Sequence, residues 1–336
     1  MTMTSDRILG PGTRGLIVFN PNAGQADALS HELGACSEIL RAGGWQIEMR
    51  PTGSPGDGSR IARAAAADGY DVVIAAGGDG TINEVINGLA GTRAALGALP
   101  IGTMNVWVRE LGMPLQPRAA AEALLGARVR AIDLGRAGDR YFLLMAGIGF
   151  DAAVVGGVRS QEKRKFGALA YVLRAFEIAL GFRGTRVRLT IDGMVVRRRT
   201  ILIVVGNSQL YGGVMKITAR ASIDDGLLDV CLINGNSLID APLRLVSIFL
   251  QRYTLDSKIE YYRAHSIRIE SRQQLPIQVD GDHLGHTPIQ FDVAPGILWA
   301  LLPQTLPTDD LLQGSPRPRP RAWRRLLGWL ARRRPQ

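Results

Sequence analysis

Four short apolar runs near the start of the chain restrict it to one class of architecture, because each is followed by a polar loop and then by a helical stretch. The runs are RGLIVFN from Arg14, WQIEMR from Trp45, DVVIAA from Asp71 and ALGALPI from Ala95. Helical spacing of apolar residues predicts helices over Ala26–Ala42, Asp57–Ala67 and about Ile82–Leu89, with a short one after Asn105. Strands that alternate with helices are joined by right-handed crossovers, so they lie parallel in a sheet covered on both faces. The strand-to-helix loops of such a sheet open on one edge, where ligands bind.

From about Arg128 the texture changes, and strand-like runs follow one another directly: RVRAIDLGRA, RYFLLMAGIG, VRLTIDGMVV, RRTILIVVG, LLDVCLI, SIRIES, PIQVDGD, TPIQFDV and GILWALLP. The turns IDG and VDGD are hairpin signals between some of them. Helical interruptions are expected near Glu162–Leu180 and Ser237–Tyr253. The expected fold is therefore an α/β domain on a parallel sheet over residues 1–127, then a mostly antiparallel β-sandwich domain over 128–313. A basic amphipathic tail, 314–336, completes the chain.

The formal net charge of +10 belongs to that tail. Eight of the 40 basic residues lie in 314–336 with no acid, leaving 32 basic against 30 acidic residues in the body. An excess so placed says little about the body itself and disfavours nucleic acid as its partner. In AWRRLLGWLARRR, Trp323, Leu326, Leu327 and Leu330 share one helical face, with Arg321, Arg325 and Arg332 opposite. Such a helix fits an anionic membrane surface. Cys36 and Cys231 stand in apolar settings far apart, as two buried, reduced thiols would. No signal-peptide pattern opens the chain, and no apolar run approaches the roughly 20 residues of a membrane span. The expectation is a cytoplasmic protein, peripheral at the inner face of a membrane; nothing specifies an oligomeric state.

Four loops fall at carboxyl ends of the first-domain strands: NPNAG (Asn20–Gly24), TGSPGDG (Thr52–Gly58), GGDGTINE (Gly77–Glu84) and GTMN (Gly102–Asn105). Short side chains let backbone approach a phosphate closely there. Asp79 would repel phosphates unless a divalent cation lay between, and Mg²⁺ is held in this way by one or two carboxylates and phosphate oxygens. No GK[ST] follows, so this is not a Walker A loop. The plainer reading of Thr81 and Glu84 is a capping box that starts a helix.

NPNAG, GGDGTINEVINGL and PIGTMN resemble the nucleotide-binding loops of the diacylglycerol kinase catalytic domain, shared by bacterial lipid kinases and sphingosine kinases. AGIGFDAAVV, KRKFGALAY, VGNSQLYGG, ASIDDGLLDV and VDGD resemble that family's later motifs in the same order, so the resemblance runs from about Gly15 to Pro303. It implies an α/β nucleotide domain, a β-sandwich partner and an active site between them. It implies that ATP is contacted by Asn20, Pro21, Asn22, Ala23, Gly24, Thr52, Gly78, Asp79, Gly80, Thr81, Asn83, Glu84 and Thr103. Asp79 would also serve the reacting phosphate and its Mg²⁺, and Asp282 would take the proton from a membrane lipid's hydroxyl. A structural Mg²⁺ would be bound by the Asp225 side chain with the carbonyls of Ser222 and Leu227.

Two positions depart from the pattern. Family members carry glutamate where Asp282 stands, a side chain longer by ~1.5 Å; a deeper substrate, weaker activity or a share of the task for Asp280 would each accommodate the change. Many bacterial members have aspartate after GT-x-N, where this chain has Val106. The reading that follows is an ATP- and Mg²⁺-dependent lipid kinase acting on a diacylglycerol-like or sphingoid-like hydroxyl. Its alternatives are an NAD kinase-like enzyme and a weakened, nucleotide-responsive membrane-binding protein. A transition-metal site at Asp280, Asp282, His283 and His286 is disfavoured, because the surrounding glycines and proline argue for a turn. Phe166, Leu169, Leu173, Phe176 and Leu180 fit either core packing or a lipid entrance.

Overall fold

The computed structural model describes residues 7–21, 26–149, 152, 183–213, 215–236, 258–304, 306 and 311–312. The first stretch runs β1 (Arg7–Ile8), β2 (Arg14–Phe19), α1 (Ala26–Ala42), β3 (Gln46–Pro51), α2 (Asp57–Ala67) and β4 (Val72–Gly77). It continues through α3 (Asp79–Leu89), β5 (Ala95–Pro100), α4 (Val106–Glu110) and α5 (Pro117–Leu125). Strands then dominate: β6 (Arg128–Ala137), β7 (Arg140–Phe142), β8 (Met145–Gly149), β9 (Thr185–Ile191), β10 (Met194–Gly206), β11 (Leu210–Tyr211) and β12 (Met215–Lys216). The last are β13 (Leu228–Asn234), β14 (Ile259–Ala264), β15 (Ser266–Ser271), β16 (Pro276–Val279), β17 (Asp282–His286) and β18 (Ile289–Leu302).

β3, β2, β4 and β5 pair in parallel in that spatial order. β4 and β5 are buried at every position, as a parallel sheet clothed by helices on both faces requires. β9 instead alternates buried and exposed residues, the signature of an antiparallel strand with one solvated face. Antiparallel pairing joins β16 to β8, β8 to β10, β10 to β9, β9 to β15 and β15 to β18. The N-terminal region is thus parallel α/β and the C-terminal region mostly antiparallel β. Two apolar clusters fill the interior: the first runs from the parallel region into the antiparallel strands at Leu202, Cys231 and Ile233, and the second, within the antiparallel region, contains an edge-on contact of Phe142 and Phe291 at 6.1 Å.

The two regions share one strand. β18 pairs with β15 through residues 289–292 and, beyond a register shift between Ala294 and Leu298, lies parallel to β5 at Trp299 and Ala300. β6 runs antiparallel beside both halves of β18. The shift contains Pro295 and Gly296, the latter at φ 58°, a conformation that favours glycine. Asp133 in β6 fixes the bend: its carboxylate accepts the Gly296 N–H at 2.7 Å and the Gly226 N–H at 2.6 Å.

The expected bounds of the first two helices hold, whereas α3 starts earlier than the expected Ile82, directly at Asp79. Gly78 is its extended N-cap and no side chain caps it. The Thr81–Glu84 capping box is therefore absent, and Glu84 turns to a neighbouring loop instead. α5, opened by Pro117, was not anticipated, although proline at a first helical turn before an Ala- and Leu-rich run is a recognisable start. Both cysteines are buried and unbridged, and burial pushes the Cys36 thiol up to about 11 and Cys231 up to about 12. Among the described residues no helix is long and apolar enough to cross a membrane. The expected helices near 162–180 and 237–253, and the tail 314–336, lie outside the described residues.

α2 and α3 pack closely because Gly88 has no side chain: a Cβ there would stand 2.3 Å from the Ser59 carbonyl oxygen and 2.8 Å from the Ala62 Cβ. Backbone cannot yield as a flexible side chain can. Gly88→Ala is expected to lower stability by about 1–3 kcal/mol in denaturant unfolding, and an unchanged midpoint would show that the helices can separate freely.

Candidate active site

The site is organised by α3, whose N-terminus points at the loops ending β4 and β5. Gly77 and Gly78 lead into it with no intervening residue, so the positive end of the helix dipole faces the sheet edge. The GTMN loop packs backbone to backbone against this turn. A Cβ on Gly102 would lie 2.3 Å from the Gly78 Cα, and the Gly102 N–H reaches the Gly77 carbonyl at 3.2 Å. Asn105, at φ 47°, closes its own loop through two bonds to the Gly102 backbone, at 3.0 and 2.7 Å. These contacts leave a cradle walled by main chain, the kind of surface that accepts phosphate groups.

Asp79 occupies the first position of α3, and its Oδ1 accepts the Trp107 N–H at 3.3 Å, tying it to the start of α4. Val106, beside it, is buried in the core, so the position after Asn105 supplies no carboxylate here. Thr52 stands next to the end of β2, its amide donating to the Phe19 carbonyl at 2.8 Å. The second loop is set rigidly by two acids. Glu84 accepts N–H groups of Gly56 and Gly58 at 2.9 and 2.8 Å. Asp57 accepts those of Gly53 and Ser54 at 2.8 and 3.0 Å. The Gly53 N–H and then Arg60 hold the Asp57 carboxyl down at about 2. Thr103 is exposed at the tip of the fourth loop. Of the first loop, Asn20 and Pro21 are described at the end of β2, while Asn22, Ala23 and Gly24 lie outside the described residues.

A polar stripe then runs down α3 at four-residue intervals, through Asp79, Asn83 and Asn87, and meets the antiparallel region. Asn87 exchanges bonds with the Tyr141 backbone, donating to its carbonyl at 3.0 Å and accepting its N–H at 2.9 Å. Asn83 is 2 % exposed. Its amide nitrogen donates to Asp280 at 2.8 Å and to the Tyr141 carbonyl at 3.2 Å, and its oxygen accepts Arg140 at 2.8 Å. Arg140 also binds the Asp282 carboxylate at 2.6 Å. Asp79 and Asp282, separated by some two hundred residues of chain, are thereby joined through one helix face and one guanidinium.

The VDGD turn presents Asp282. Asp280 and Gly281 lie at φ 47° and 88°, the tight hairpin geometry that suits Asp-Gly, and connect β16 to β17. The two acids of the turn do different work. Asp280 points inward, accepting N–H groups of Leu143, Leu144 and Met145 at 2.8–3.0 Å as well as the Asn83 amide. Burial pushes its carboxyl up while these four donors oppose the shift. With every lone-pair direction engaged, it anchors the turn to the backbone of 143–145 and to α3. Asp282 has a side chain 53 % exposed and faces the opening. His283 and His286 stack edge-on at 5.5 Å on the same hairpin, and among the described residues no three His, Cys, Asp or Glu side chains converge as a metal cluster.

A second acidic group lies at the β18 bend. Asp225 is tied to the Leu227 N–H at 3.0 Å and paired with Arg263, whose guanidinium also stands 3.5 Å from Asp229. Burial, opposed by Arg263 and reinforced by Asp225, pushes the Asp229 carboxyl up to about 7. Burial likewise raises Asp133 and Asp225. The Arg263 Nε lies 3.5 Å from the buried Oδ2 of Asp229, an ion pair without a well-formed hydrogen bond. The Asp225 carboxylate and the main-chain carbonyls of this loop are oxygen donors of the kind Mg²⁺ accepts, but Asp225 is paired with Arg263, and a cation bound there would have to share or displace that guanidinium.

The VGNSQLYGG motif serves the interior. Asn207, Ser208 and Gln209 are almost wholly buried; Asn207 donates to the carbonyls of Asp133 and Leu143, both at 3.0 Å. Glu110 of α4 accepts the N–H groups of Gln209 and Leu210 at 2.9 and 2.7 Å, so the GTMN loop and the antiparallel region are locked together. Sequence reasoning missed Arg140, Asn87 and Glu110. For Asn87 a signal existed: an asparagine two helical turns from Asp79 on a helix otherwise packed with Ile82, Val85, Ile86 and Leu89.

Comparison with known proteins bears on this arrangement. Residues 14–137 match the diacylglycerol kinase catalytic domain, and residues 145–302 match the YegS C-terminal NAD kinase beta sandwich-like domain. A diacylglycerol kinase of Bacillus subtilis is 31 % identical over 282 residues, covering 83 % of this chain and 92 % of that one. A Pseudomonas putida protein described as "Probable lipid kinase YegS-like" is 33 % identical, with 83 % and 93 % covered. The crystal structure of a diacylglycerol kinase from Bacillus anthracis superposes with a TM-score of 0.72 at 27 % identity, covering 87 % of this chain and 97 % of that one.

The contrast between the two acids of the VDGD turn is testable. Asp280→Ala would strand three backbone N–H groups and the Asn83 amide, and is expected to cost roughly 3–5 kcal/mol in urea unfolding. Asp282→Ala should stay within about 0.5 kcal/mol of wild type. Equal losses would show that the carboxylates are not divided in this way.

Proposed function

The chain belongs to the bacterial diacylglycerol kinase and YegS-like lipid kinase family, a family of phosphotransferases, and from that premise we propose that it transfers the γ-phosphate of ATP to the hydroxyl of a membrane lipid in the cleft between α3 and the VDGD turn. The observation that carries this reading is the chain of contacts from α3 through Asn83 and Arg140 to Asp282. It ties the Asp282 carboxylate to the helix whose amino end adjoins the main-chain loops, and so supports reading them as the proton acceptor and phosphate cradle that phosphoryl transfer needs.

In this reading the loops after β2, β3, β4 and β5 receive the nucleotide, and the amino end of α3 offsets phosphate charge. Asp79 faces the phosphates with a carboxylate held by the Trp107 N–H. Mg²⁺ bound there with the nucleotide would neutralise phosphate charge as the γ-phosphoryl group moves. At the β18 bend a structural Mg²⁺ would be held by Asp225 with the carbonyls of Ser222 and Leu227. Asp282 accepts the lipid hydroxyl proton as the oxygen–phosphorus bond forms and ADP departs. Arg140 keeps that carboxylate in place, which compensates in orientation for a side chain shorter than glutamate. A lipid of diacylglycerol-like or sphingoid-like character suits the family. Work on such a substrate places the protein at the cytoplasmic face of a membrane, with the basic 314–336 segment as a further contact.

The test is transfer of labelled γ-phosphate from ATP to a total lipid extract with Mg²⁺. Wild type is expected to yield a labelled lipid, and Asp79→Ala and Asp282→Asn to lower its formation by about 100-fold or more. Full activity in Asp282→Asn would remove that residue as the base. ATP binding without any labelled lipid would favour a nucleotide-responsive membrane protein over an enzyme.

A further inference from the structure

The outer face of the antiparallel region carries a concentration of positive charge that the nucleotide cleft does not use. Residues 186, 188 and 190 of β9 alternate with the buried Val187, Leu189 and Ile191, so Arg186 and Arg188 point outward. Their cross-strand partners in β10 are also arginines: Arg199 stands opposite Arg186, and Arg197 opposite Arg188. On the other side, in β15, Arg188 faces Glu270 and Thr190 faces Arg268, with Arg272 just beyond. The result is a shallow groove of about 580 Å³ in which Arg186, Arg188, Arg197, Arg199 and Arg272 converge.

The only acid lining that groove is Glu270, shared between Arg188 at 3.7 Å and Arg268 at 3.1 Å. Arg186, Arg197 and Arg272 have no acidic partner among the described residues. Like charges set directly opposite one another on a ladder destabilise it. Two such pairs side by side are a cost that an external anion would remove. The same hairpin also exposes apolar surface. Met194 and Val195 follow the Asp192–Gly193 turn and are 51 % and 42 % exposed, and Val195 shares the outward face of Arg197 and Arg199.

We propose that this arginine face, with Met194 and Val195 at its tip, docks the protein on the headgroup layer of an anionic phospholipid bilayer. Charge complementarity selects an anionic surface. The apolar tip beside the arginines selects a bilayer over nucleic acid, since a hairpin end that enters the headgroup boundary buries Met194 and Val195 while the guanidiniums remain among phosphates. Two arginine rows on a sheet face meet a plane of dispersed phosphates better than the single track of a polynucleotide backbone. The proposal rests on the lipid-kinase reading only in supplying a reason for the protein to meet a membrane. It is separate from any contribution of 314–336.

The experiment compares the full chain with its Arg186→Gln, Arg188→Gln, Arg197→Gln, Arg272→Gln variant. None of these four side chains touches the nucleotide cradle, and relief of like-charge pairs should leave the thermal midpoint unchanged or raised. Co-sedimentation uses vesicles of equal parts phosphatidylglycerol and phosphatidylcholine, with pure phosphatidylcholine as control. Partitioning of the variant onto the anionic vesicles is expected to fall on the order of tenfold or more, while the neutral vesicles take up little of either protein. Phosphate transfer to lipid in neutral detergent micelles should be equal for the two, and transfer on anionic vesicles should fall with binding. Wild-type-like vesicle binding by the variant would overturn the proposal. So would tighter wild-type binding to a duplex oligonucleotide than to anionic vesicles, lost in the variant. A difference in vesicle binding with no phosphate transfer by either protein would sink the kinase reading and leave the docking face standing.

Discussion

Everything at the cleft depends on one buried carboxylate. Asp280 gathers three consecutive backbone N–H groups, from Leu143 to Met145, and one side-chain amide from the opposite region of the molecule. Three successive amides can point at one acceptor only if the chain between β7 and β8 turns sharply, so the acid shapes that turn while it pins the VDGD hairpin to it. The Asn83 contact then fixes the hairpin against α3. Without this anchor Asp282 would sit on a free hairpin tip, and Arg140 would have no fixed partner to hold. Asp282 can stand exposed at the turn because its neighbour two residues earlier is buried and fully bonded.

The parallel half was legible because its signals are local. Apolar runs, helical spacing and the Gly-rich loops between them all lie within windows of some twenty residues, and the bounds of α1 and α2 were read from them directly. The start of α3 was misjudged because GGDGT looks like a loop by composition, whereas glycine at an extended N-cap lets the helix begin with no linker at all. The Thr81–Glu84 pair shows the limit of a local motif. Its spacing suits a capping box, but Glu84 has stronger donors in Gly56 and Gly58, brought alongside by the packing of α2 on α3. Arg140 and Glu110 were beyond reach because their partners Asp282 and Gln209 lie 142 and 99 residues away in sequence, whereas Asn87 carried a local signal in its spacing from Asp79 though its partner, Tyr141, is 54 residues away. Asp280 and Asp282 were visible as a pair, yet nothing in VDGD says which acid turns inward; tertiary donors decide that.

The acids of the chain are sorted by what surrounds them. Asp57 sits among loop amides with Arg60 and remains strongly ionised. Asp229, nearly out of contact with water, is pushed toward neutrality by burial, against the opposing charge of Arg263. Asp133 lies between, held by the amides of Gly226 and Gly296. A surplus of buried acid at one end and of exposed arginine on the outer sheet face give this nearly neutral body a strongly uneven field. The formal charge of the whole chain conceals that separation.

β18 begins beside the antiparallel strands and finishes beside β5, with β6 alongside it throughout. A cleft between two regions usually implies a pair of jaws that swing about a linker. Here the connection is a strand hydrogen-bonded on both sides, and its one irregularity, at Pro295 and Gly296, is clamped by Asp133. Such a joint behaves as a welded seam. The α3 end of the molecule and the VDGD turn are thus joined through continuous hydrogen-bonded backbone, and any change in their separation would have to break strand pairing or the Asp133 clamp.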